Sequence, residues 1–374
     1  MNWDGLGLSG SGNLSPLTSH LLPLTTKILL TNNNMSGRIV TFGELLLRFS
    51  KRSHKRFTQG EELLGNFGGS EANVAISLAT LGNDVEYVTC LPKGQIGLAA
   101  KMMLQEYNLD VSHVLMEGDR MGTYYFEGAA ALRNNTVVYD RANSAFSLLQ
   151  PGTIDWHEIL KGASVFHTSG IAGALTPNAS ESTFEALRVA DEMGLNISFD
   201  INHRKNLWRY PGARPVETLS GMLEFADIMF GDVIEFEFLT GHPKIPFEAV
   251  DPNYKMDLDP YRRWFDDIHR RFPRCRKWLM GMRNQVSASH HLLTALLWSD
   301  GHLYSTRIYD IQDMVDPMGV GDAFAAGLIH SFGAFPGDDQ MCLDYSLAAS
   351  ALKYSFNGDF NLATDDEIMD LINS

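Results

Sequence analysis

A short segment late in the chain combines two glycines, an acid and the start of an apolar helical pattern. It runs Asp-Pro-Met-Gly-Val-Gly-Asp from Asp316 to Asp322. Its glycines permit positive φ and close approach to a ligand, and the amides at this helix N-terminus would form an anion site. An acid there repels phosphate unless it has its own task. We therefore expect Asp322 to be a general base for a hydroxyl that attacks a phosphoryl group. The amides of Gly319, Val320 and Gly321 would stabilise the developing charge.

Taken alone, Asp322 also fits a first-turn acid that interacts favourably with the helix dipole. The wider pattern Asp-x-x-Gly-x-Gly-Asp-Ala-Phe-x-Ala-Gly resembles the C-terminal signature of the ribokinase-like (PfkB) sugar kinases. One departure is Val320, where that family usually has Ala or Gly, which leaves less room in the loop but keeps the amide. The resemblance implies transfer of the γ-phosphoryl group of ATP to a sugar, with Mg²⁺ as a cofactor.

The segments that must position this loop alternate between strand-like and helix-like patterns from Arg38 onward, which predicts a mostly parallel sheet covered by helices on both faces. With the resemblance, the fold class is α/β, a ribokinase-like three-layer fold with a small β lid. Strands are predicted at 39–42, 85–91, 164–168, 196–200, 227–230 and 277–280. Helices are predicted at 71–81, 95–107, 178–193, 232–240, 262–271, 322–332 and 343–356.

Two regions, 45–65 and 122–139, contain β-rich runs outside this alternation. We expect them to form a small sheet above the carboxyl edge of the main sheet, with a lid from about 45–66 and 110–142 of a kinase domain spanning 35–374. Their aromatic residues fit core packing as well as ligand contact. The basic run from Lys51 to Arg56 is typical of a solvated loop.

A glycine pair opens the first long helix. Gly68 and Gly69 precede it and Asn73 follows in its first turn. A tight turn alone explains such a pair. The segment also resembles the N-terminal Gly-Gly-x-x-x-Asn motif of the family, which implies that Gly68, Gly69 and Asn73 contact the sugar.

Two arginines fall in loops on the predicted ligand side. Arg141 follows the second aromatic strand, and Arg204 follows the strand that ends at Asp200, where open α/β sheets bind ligands. A surface salt bridge explains either arginine alone. Both together suggest a carboxylate substrate, which guanidinium groups bind in bidentate fashion.

These segments resemble 2-keto-3-deoxygluconate kinases, which show Tyr-x-Arg-x-x-Ser-Ala and Asp-x-Asn-x-Arg-x-x-Leu-Trp. The resemblance implies a sugar-acid pocket that contains the arginines and four further residues, namely Tyr124, Tyr139, Ile171 and Asp359. A turn alone would explain Asp359, which lies in an Asn-Gly-Asp segment.

Asp232 and Glu235 follow another predicted strand. The family has Asn-x-x-Glu here, which implies that Glu235 organises Mg²⁺ near the nucleotide phosphates and that Asp232 adds negative charge. Asp232 also suits a helix N-cap, and both roles can hold together. Arg283 is expected, by resemblance, to line the ATP site.

Composition narrows the class of protein. The chain has 374 residues, 44% of them hydrophobic and 20% charged, with a net charge of −15. Such a charge argues against nucleic acid or an anionic membrane as a partner. Cys90, Cys275 and Cys342 lack metal-ligand spacing and fit buried reduced thiols of a cytoplasmic protein. Residues 1–34 carry only Asp4 and Lys27 as charges and fit a disordered leader or a mis-assigned start before Met35.

The sequence thus predicts an ATP-dependent kinase that converts 2-keto-3-deoxygluconate to its 6-phosphate. Two alternatives stay open at this point. One is a neutral-sugar kinase of the fructokinase or ribokinase type, and the other is a non-catalytic sugar-binding regulatory protein on the same fold. An exposed edge of the lid sheet is compatible with a homodimer.

Overall fold

A long, mostly parallel sheet forms the centre of the protein. The computed structural model describes residues 37–52, 54–60 and 62–374, so the expectations for residues 1–34 and for a start at Met35 lie outside the described residues. The strands are β1 (Arg38–Phe42), β2 (Leu46–Ser50), β3 (Leu64–Gly68), β4 (Val85–Val88), β5 (Cys90–Leu91), β6 (Leu115–Met116), β7 (Thr123–Glu127), β8 (Thr136–Asp140), β9 (Ala163–Ser169), β10 (Asn196–Asp200), β11 (Ile228–Asp232), β12 (Lys277–Gln285), β13 (His291–Ser299), β14 (His302–Ser305) and β15 (Tyr309–Ile311).

The helices follow the strands in the alternating order that the sequence predicts. They are α1 (Ser70–Thr80), α2 (Gln95–Glu106), α3 (Trp156–Ile159), α4 (Ile171–Leu175), α5 (Pro177–Glu192), α6 (Pro215–Leu223), α7 (Val233–Thr240), α8 (Asp259–Arg271), α9 (Val320–Ala334), α10 (Asp339–Lys353) and α11 (Asp365–Asn373). The seven predicted helices are all present, and α3, α4, α6 and α11 are additional.

The strand order of the large sheet is β14-β13-β12-β11-β10-β9-β1-β4, with β15 paired to β13. Every pair from β4 to β12 is parallel, and the pairs made by β13 are antiparallel. The carboxyl ends of the parallel strands therefore meet at one edge, where the loops of α/β proteins bind ligands.

Two hydrophobic cores lie on opposite faces of this sheet, because neighbouring residues of a strand point to opposite sides. In β9, Val165 packs into the core with α1, α9 and α10, whereas Phe166 packs into the core with α5 to α8. The result is the predicted three-layer arrangement.

A separate four-stranded sheet has the order β3-β2-β7-β8 and is called the small sheet below. Its strands fall in the two regions predicted for the lid, with β3 continuing to Gly68. Residues 46, 124 and 126 form a cluster on one face, against which Met318 of the 316–322 segment packs. The small sheet thus lies directly over the segment from Asp316 to Asp322, where the anion site is predicted.

The predicted strand at 277–280 is shorter than the strand in the structure. β12 continues to Gln285 and pairs with β13, so Arg283 lies within a strand opposite Leu293. The three cysteines are buried and unbridged, as predicted. None of the helices in the described ranges combines the length and apolarity that a membrane span requires.

Candidate active site

The segment Asp316–Asp322, called the anion-binding loop below, leads directly into α9. Gly319 is the N-cap with φ 80°, no side chain caps the helix, and the amide of Ala323 donates to Gly319 O at 2.9 Å. A Cβ on Gly319 would lie 1.9 Å from the carbonyl oxygen of Asp359, so only glycine fits there. The amides of Val320, Gly321 and Asp322 are left without intrahelical acceptors. The helix start therefore has the geometry that an anion site requires, and anion binding by these amides stays a prediction.

Asp322 lies in the first turn of α9 and faces the N-terminus of α1. Ser70 Oγ donates to its Oδ1 at 2.7 Å, and Asn73 Nδ2 donates to its Oδ2 at 2.6 Å. Burial raises the pKa of Asp322 above its usual value, although these two hydrogen bonds and the charge of Arg204 lower it. A carboxylate with a raised pKa is a stronger base near neutral pH.

The loop after β10 extends this network. Asn202 Nδ2 donates to Ser70 Oγ at 3.0 Å and to Asp200 Oδ2 at 3.1 Å. Asn202 and Arg204 have φ of 37° and 42°, which is unusual for an arginine. Backbone strain of this kind is often found at functional sites. Here it accompanies the placement of Arg204 beside the acids of the cleft.

Arg204 lies in the cleft without a bonding partner among the residues that the structure describes. Its side chain is exposed, and its guanidinium forms no hydrogen bond or ion pair with any described residue. Partial loss of hydration in the cleft lowers the pKa of Arg204, but the nearby Tyr139, Glu235 and Asp322 raise it by a larger amount. The guanidinium is therefore held charged and available to an anionic ligand.

Arg141 reaches the same cleft from the end of β8, and it is already paired. Its Nε and Nη2 donate to Glu44 Oε2 at 2.7 and 2.6 Å, and both side chains are buried. Neither bond uses Nη1. The ring of Tyr139 lies 5.8 Å from the guanidinium carbon, and the Tyr139 hydroxyl bonds no described residue. Glu44 thus fixes the orientation of Arg141.

A second buried network joins the small sheet to the anion-binding loop. Arg48 donates to Asp359 Oδ1 at 2.8 Å and to Asp316 Oδ2 at 2.7 Å. Tyr124 donates its hydroxyl to the other oxygen of Asp359. Both oxygens of Asp359 are therefore engaged within the protein. The prediction that Tyr124 and Asp359 contact the substrate stays a prediction, and the structure gives them a role in holding the loop.

The acids after β11 form a capping box. Asp232 Oδ1 accepts from the amides of Ile234 and Glu235 at 2.8 Å, and Glu235 accepts from the amides of Asp232 and His203 at 3.1 and 2.9 Å. Burial raises the pKa of Glu235, and Asp232 adds to that rise. The N-cap role predicted as an alternative for Asp232 is present.

These acids are compatible with Mg²⁺, although the described residues contain no preformed cluster of three ligands. Magnesium binds through one or two carboxylates together with substrate phosphates and water, so no such cluster is needed. Burial raises the pKa of Asp200, and the neighbouring charges of Glu235 and Asp322 raise it further. A cation between these groups would relieve the repulsion.

The remaining predicted residues lie around this cleft. Gly68 ends β3, where a Cβ would lie 2.3 Å from Asp359 Oδ2, and Gly69 is the N-cap of α1. Ile171 is buried at the start of α4, directly after β9. Arg283 lies beside Tyr354.

Four residues that hold the site are not predicted from the sequence, namely Glu44, Arg48, Ser70 and Asn202. Ser70 and Asn202 lie inside the two motifs that contain Asn73 and Arg204, so the sequence does contain a local signal for them. Glu44 and Arg48 pair with residues 97 and 311 positions away, and no local pattern reveals such partners.

Comparison with known proteins identifies the family. The model of the pfkB family carbohydrate kinases matches residues 36–255, more than half of the chain. The chain belongs to this family. It is thus a carbohydrate kinase with the ribokinase-like fold.

The relatives of this kinase include two enzymes named for 2-keto-3-deoxy (2-dehydro-3-deoxy) sugar acids. A 2-dehydro-3-deoxygalactonokinase of Haloferax volcanii is 28% identical, over 89% of this chain and 96% of its own. The structure of a 2-dehydro-3-deoxygluconokinase of Thermotoga maritima has a TM-score of 0.81 and 32% identity, over 90% of this chain and 100% of its own. A fructokinase with bound ATP from Xylella fastidiosa shares the fold, with a TM-score of 0.70 and 19% identity over 90% and 98%.

Proposed function

We propose that this kinase transfers the γ-phosphoryl group of ATP to the 6-hydroxyl of 2-keto-3-deoxygluconate. The observation that carries the substrate class is Arg204, a charged guanidinium near Asp322 that forms no hydrogen bond or ion pair with any described residue. Because this exposed guanidinium forms no hydrogen bond with a described residue, its donors are available to the carboxylate of a ligand. The relatives named for 2-keto-3-deoxy acids support the same class.

The proposed chemistry begins at Asp322. Its carboxylate takes the proton of the primary hydroxyl as the hydroxyl oxygen attacks the γ-phosphorus of ATP. The new O–P bond forms while the bond to the β-phosphate bridging oxygen breaks, and ADP leaves. Ser70 and Asn73 hold the carboxylate in place through their hydrogen bonds at 2.7 and 2.6 Å. Positioning of this kind accounts for much of the rate in phosphoryl transfer.

The three free amides at the start of α9 bind the negative charge of the transferring group. Mg²⁺, when bound, screens the phosphates, and Glu235 is the residue that would hold it. Asp232 adds a negative charge at the same helix end. We expect Arg283 to lie on the nucleotide side, because it neighbours Tyr354, whose carbonyl accepts from Val315 and Asp316 at the start of the anion-binding loop.

The sugar acid would occupy the space between the small sheet and α1. Its carboxylate binds Arg204, with Tyr139 and Nη1 of Arg141 as further donors. Gly69 and Asn73 face the sugar hydroxyls. Closure of the small sheet over the substrate would exclude water and limit hydrolysis of ATP.

We place this reaction in the cytoplasm, since the three cysteines are unbridged. Association of two copies through the small sheet stays a prediction.

A coupled assay of ADP release over a panel of acceptors tests the substrate proposal. The panel contains 2-keto-3-deoxygluconate, its C4 epimer 2-keto-3-deoxygalactonate, fructose and ribose. We expect the highest kcat/KM for 2-keto-3-deoxygluconate and a large gap between both acids and both neutral sugars. A higher kcat/KM for fructose or ribose would overturn the sugar-acid assignment, and preference for the epimer would correct the proposal within its class.

A further inference from the structure

Lys353 is a buried cation under the anion-binding loop. It is the last residue of α10 and is fully inaccessible to solvent, whereas every other lysine in the described ranges is at least partly exposed. An unpaired buried ammonium is unfavourable. The surroundings of Lys353 must therefore compensate for its charge.

Among the described residues, two backbone carbonyls and no carboxylate contact the ammonium directly. Lys353 Nζ donates to Phe356 O at 3.1 Å and lies 3.5 Å from Asp316 O. The first carbonyl belongs to the turn after α10, and the second belongs to the first residue of the anion-binding loop. The ammonium therefore connects the loop to the turn on which it rests.

Further contacts around Asp316 join the same turn to the anion-binding loop. Asp316 Oδ1 accepts from the amide of Met318 at 3.0 Å, and its Oδ2 accepts from the amide of Gly358 at 3.2 Å. Gly319 packs against the carbonyl of Asp359. The amides that follow Gly319 therefore keep their direction only while the turn and the loop stay together.

Charge is balanced within this buried group. Arg48 and Lys353 carry two positive charges, and Asp316 and Asp359 carry two negative charges, all with 6% exposure or less. Burial lowers the pKa of Lys353 to about 8, although the two acids raise it. Without the ammonium, this buried group would have a net charge of −1, and the two carbonyl oxygens would lose their shared donor.

Backbone carbonyls that surround a small cation are also the ligands that replace the hydration shell of K⁺. We propose that Lys353 is a built-in cation for the anion-binding loop, occupying a place that a monovalent cation could otherwise fill. Lys353 is thus a positioning residue for phosphoryl transfer, and the kinase needs no added monovalent cation. This inference rests on the proposed roles of Asp322 and the loop amides, and it is independent of which sugar is the substrate.

The test compares wild type, Lys353→Ala and Lys353→Met in choline chloride, KCl and NH₄Cl at equal ionic strength. The acceptor is whichever sugar the wild type phosphorylates fastest. An error in the proposed substrate would therefore appear in the acceptor panel described above and would not affect this test. We expect the wild-type kcat to change by less than about twofold among the salts, since screening is equal. Lys353→Ala should lose about 10²-fold in kcat in choline chloride, as expected for a displacement of about 1 Å.

Rescue separates the cation role from a structural one. KCl or NH₄Cl should restore a large part of the Lys353→Ala rate, while Lys353→Met, whose side chain fills the space without a charge, should not respond. Strong activation of the wild type by KCl would overturn the proposal, and this arm does not depend on the folding of any variant. An equal loss for Lys353→Ala in all three salts, or no loss in choline chloride, would also overturn it.

Discussion

Removal of the charge of Arg204 tests how the cleft recognises its substrate. Arg204→Met keeps the length of the side chain, and in the free kinase it breaks no hydrogen bond or ion pair with any described residue. The loss of direct contacts is therefore confined to the ligand, while the pKa of Asp322 rises further, because the charge of Arg204 lowers it in the wild type. A charge-assisted hydrogen bond contributes about 1.5–3 kcal/mol, which corresponds to roughly one to two decades in affinity. We expect KM for the sugar acid to rise by that factor, with KM for ATP nearly unchanged.

The adjacent Lys205 provides a matched control. It is exposed in the same loop. Burial lowers the pKa of the neighbouring His203, and the charge of Lys205 lowers it further. Lys205→Met removes an equal charge one residue away, so its KM should differ from wild type by less than about twofold, as for an unpaired surface charge. The assay is the initial rate of ADP release at varied sugar acid and varied ATP.

Two results would refute this reasoning. If Arg204→Met lowers kcat/KM for fructose as strongly as for the sugar acid, the residue shapes the cleft but does not bind a substrate carboxylate. If KM for ATP rises in place of KM for the sugar acid, the guanidinium binds nucleotide phosphate.

Two further predictions concern stability. Arg48→Met leaves two buried acids without their partner and should lower the free energy of unfolding, measured by chemical denaturation, by about 3–5 kcal/mol. The control is Arg52→Met, which removes one partner of an ion pair whose side chains are 60% and 67% exposed, and it should lower that free energy by less than about 1 kcal/mol. Equal losses for the two variants would contradict the stabilising role of the buried network. Burial raises the pKa of Glu71 from 4.5 to about 7, so the folded state loses stability as pH rises through that window. Glu71→Gln should therefore be more stable than wild type at pH 8, by up to about 3 kcal/mol, and equal to it below pH 4.5. A difference in Tm that does not vary with pH would exclude this.

Much of the fold was predictable from sequence because its signals are local. The predicted helices at 71–81 and 95–107 match α1 and α2 within one residue at each end. The extension of β12 past Gly281 was missed, since glycine interrupts a strand pattern and the stabilising pairs come from β13.

The site residues likewise differ in whether local sequence or distant contacts determine their roles. Asp322 and the glycines were found from one short segment, because anion binding at a helix N-terminus is a property of contiguous residues. The different roles of the two arginines were not predictable. Arg141 is held by Glu44, 97 residues away, while Arg204 has no partner among the described residues. Only the folded chain shows which of the two is available to a ligand.

The most direct test of the central claim is the pH dependence of kcat for wild type and Asp322→Asn. Because burial raises the pKa of Asp322 above 3.8, the wild-type kcat should be lost as pH falls through a midpoint above that value. The variant should keep nucleotide binding by calorimetry, lose at least about 10²-fold in kcat, and show no acid limb in its residual rate. A variant with near-normal kcat, or one that keeps the wild-type acid limb, would contradict the assignment of Asp322 as the base.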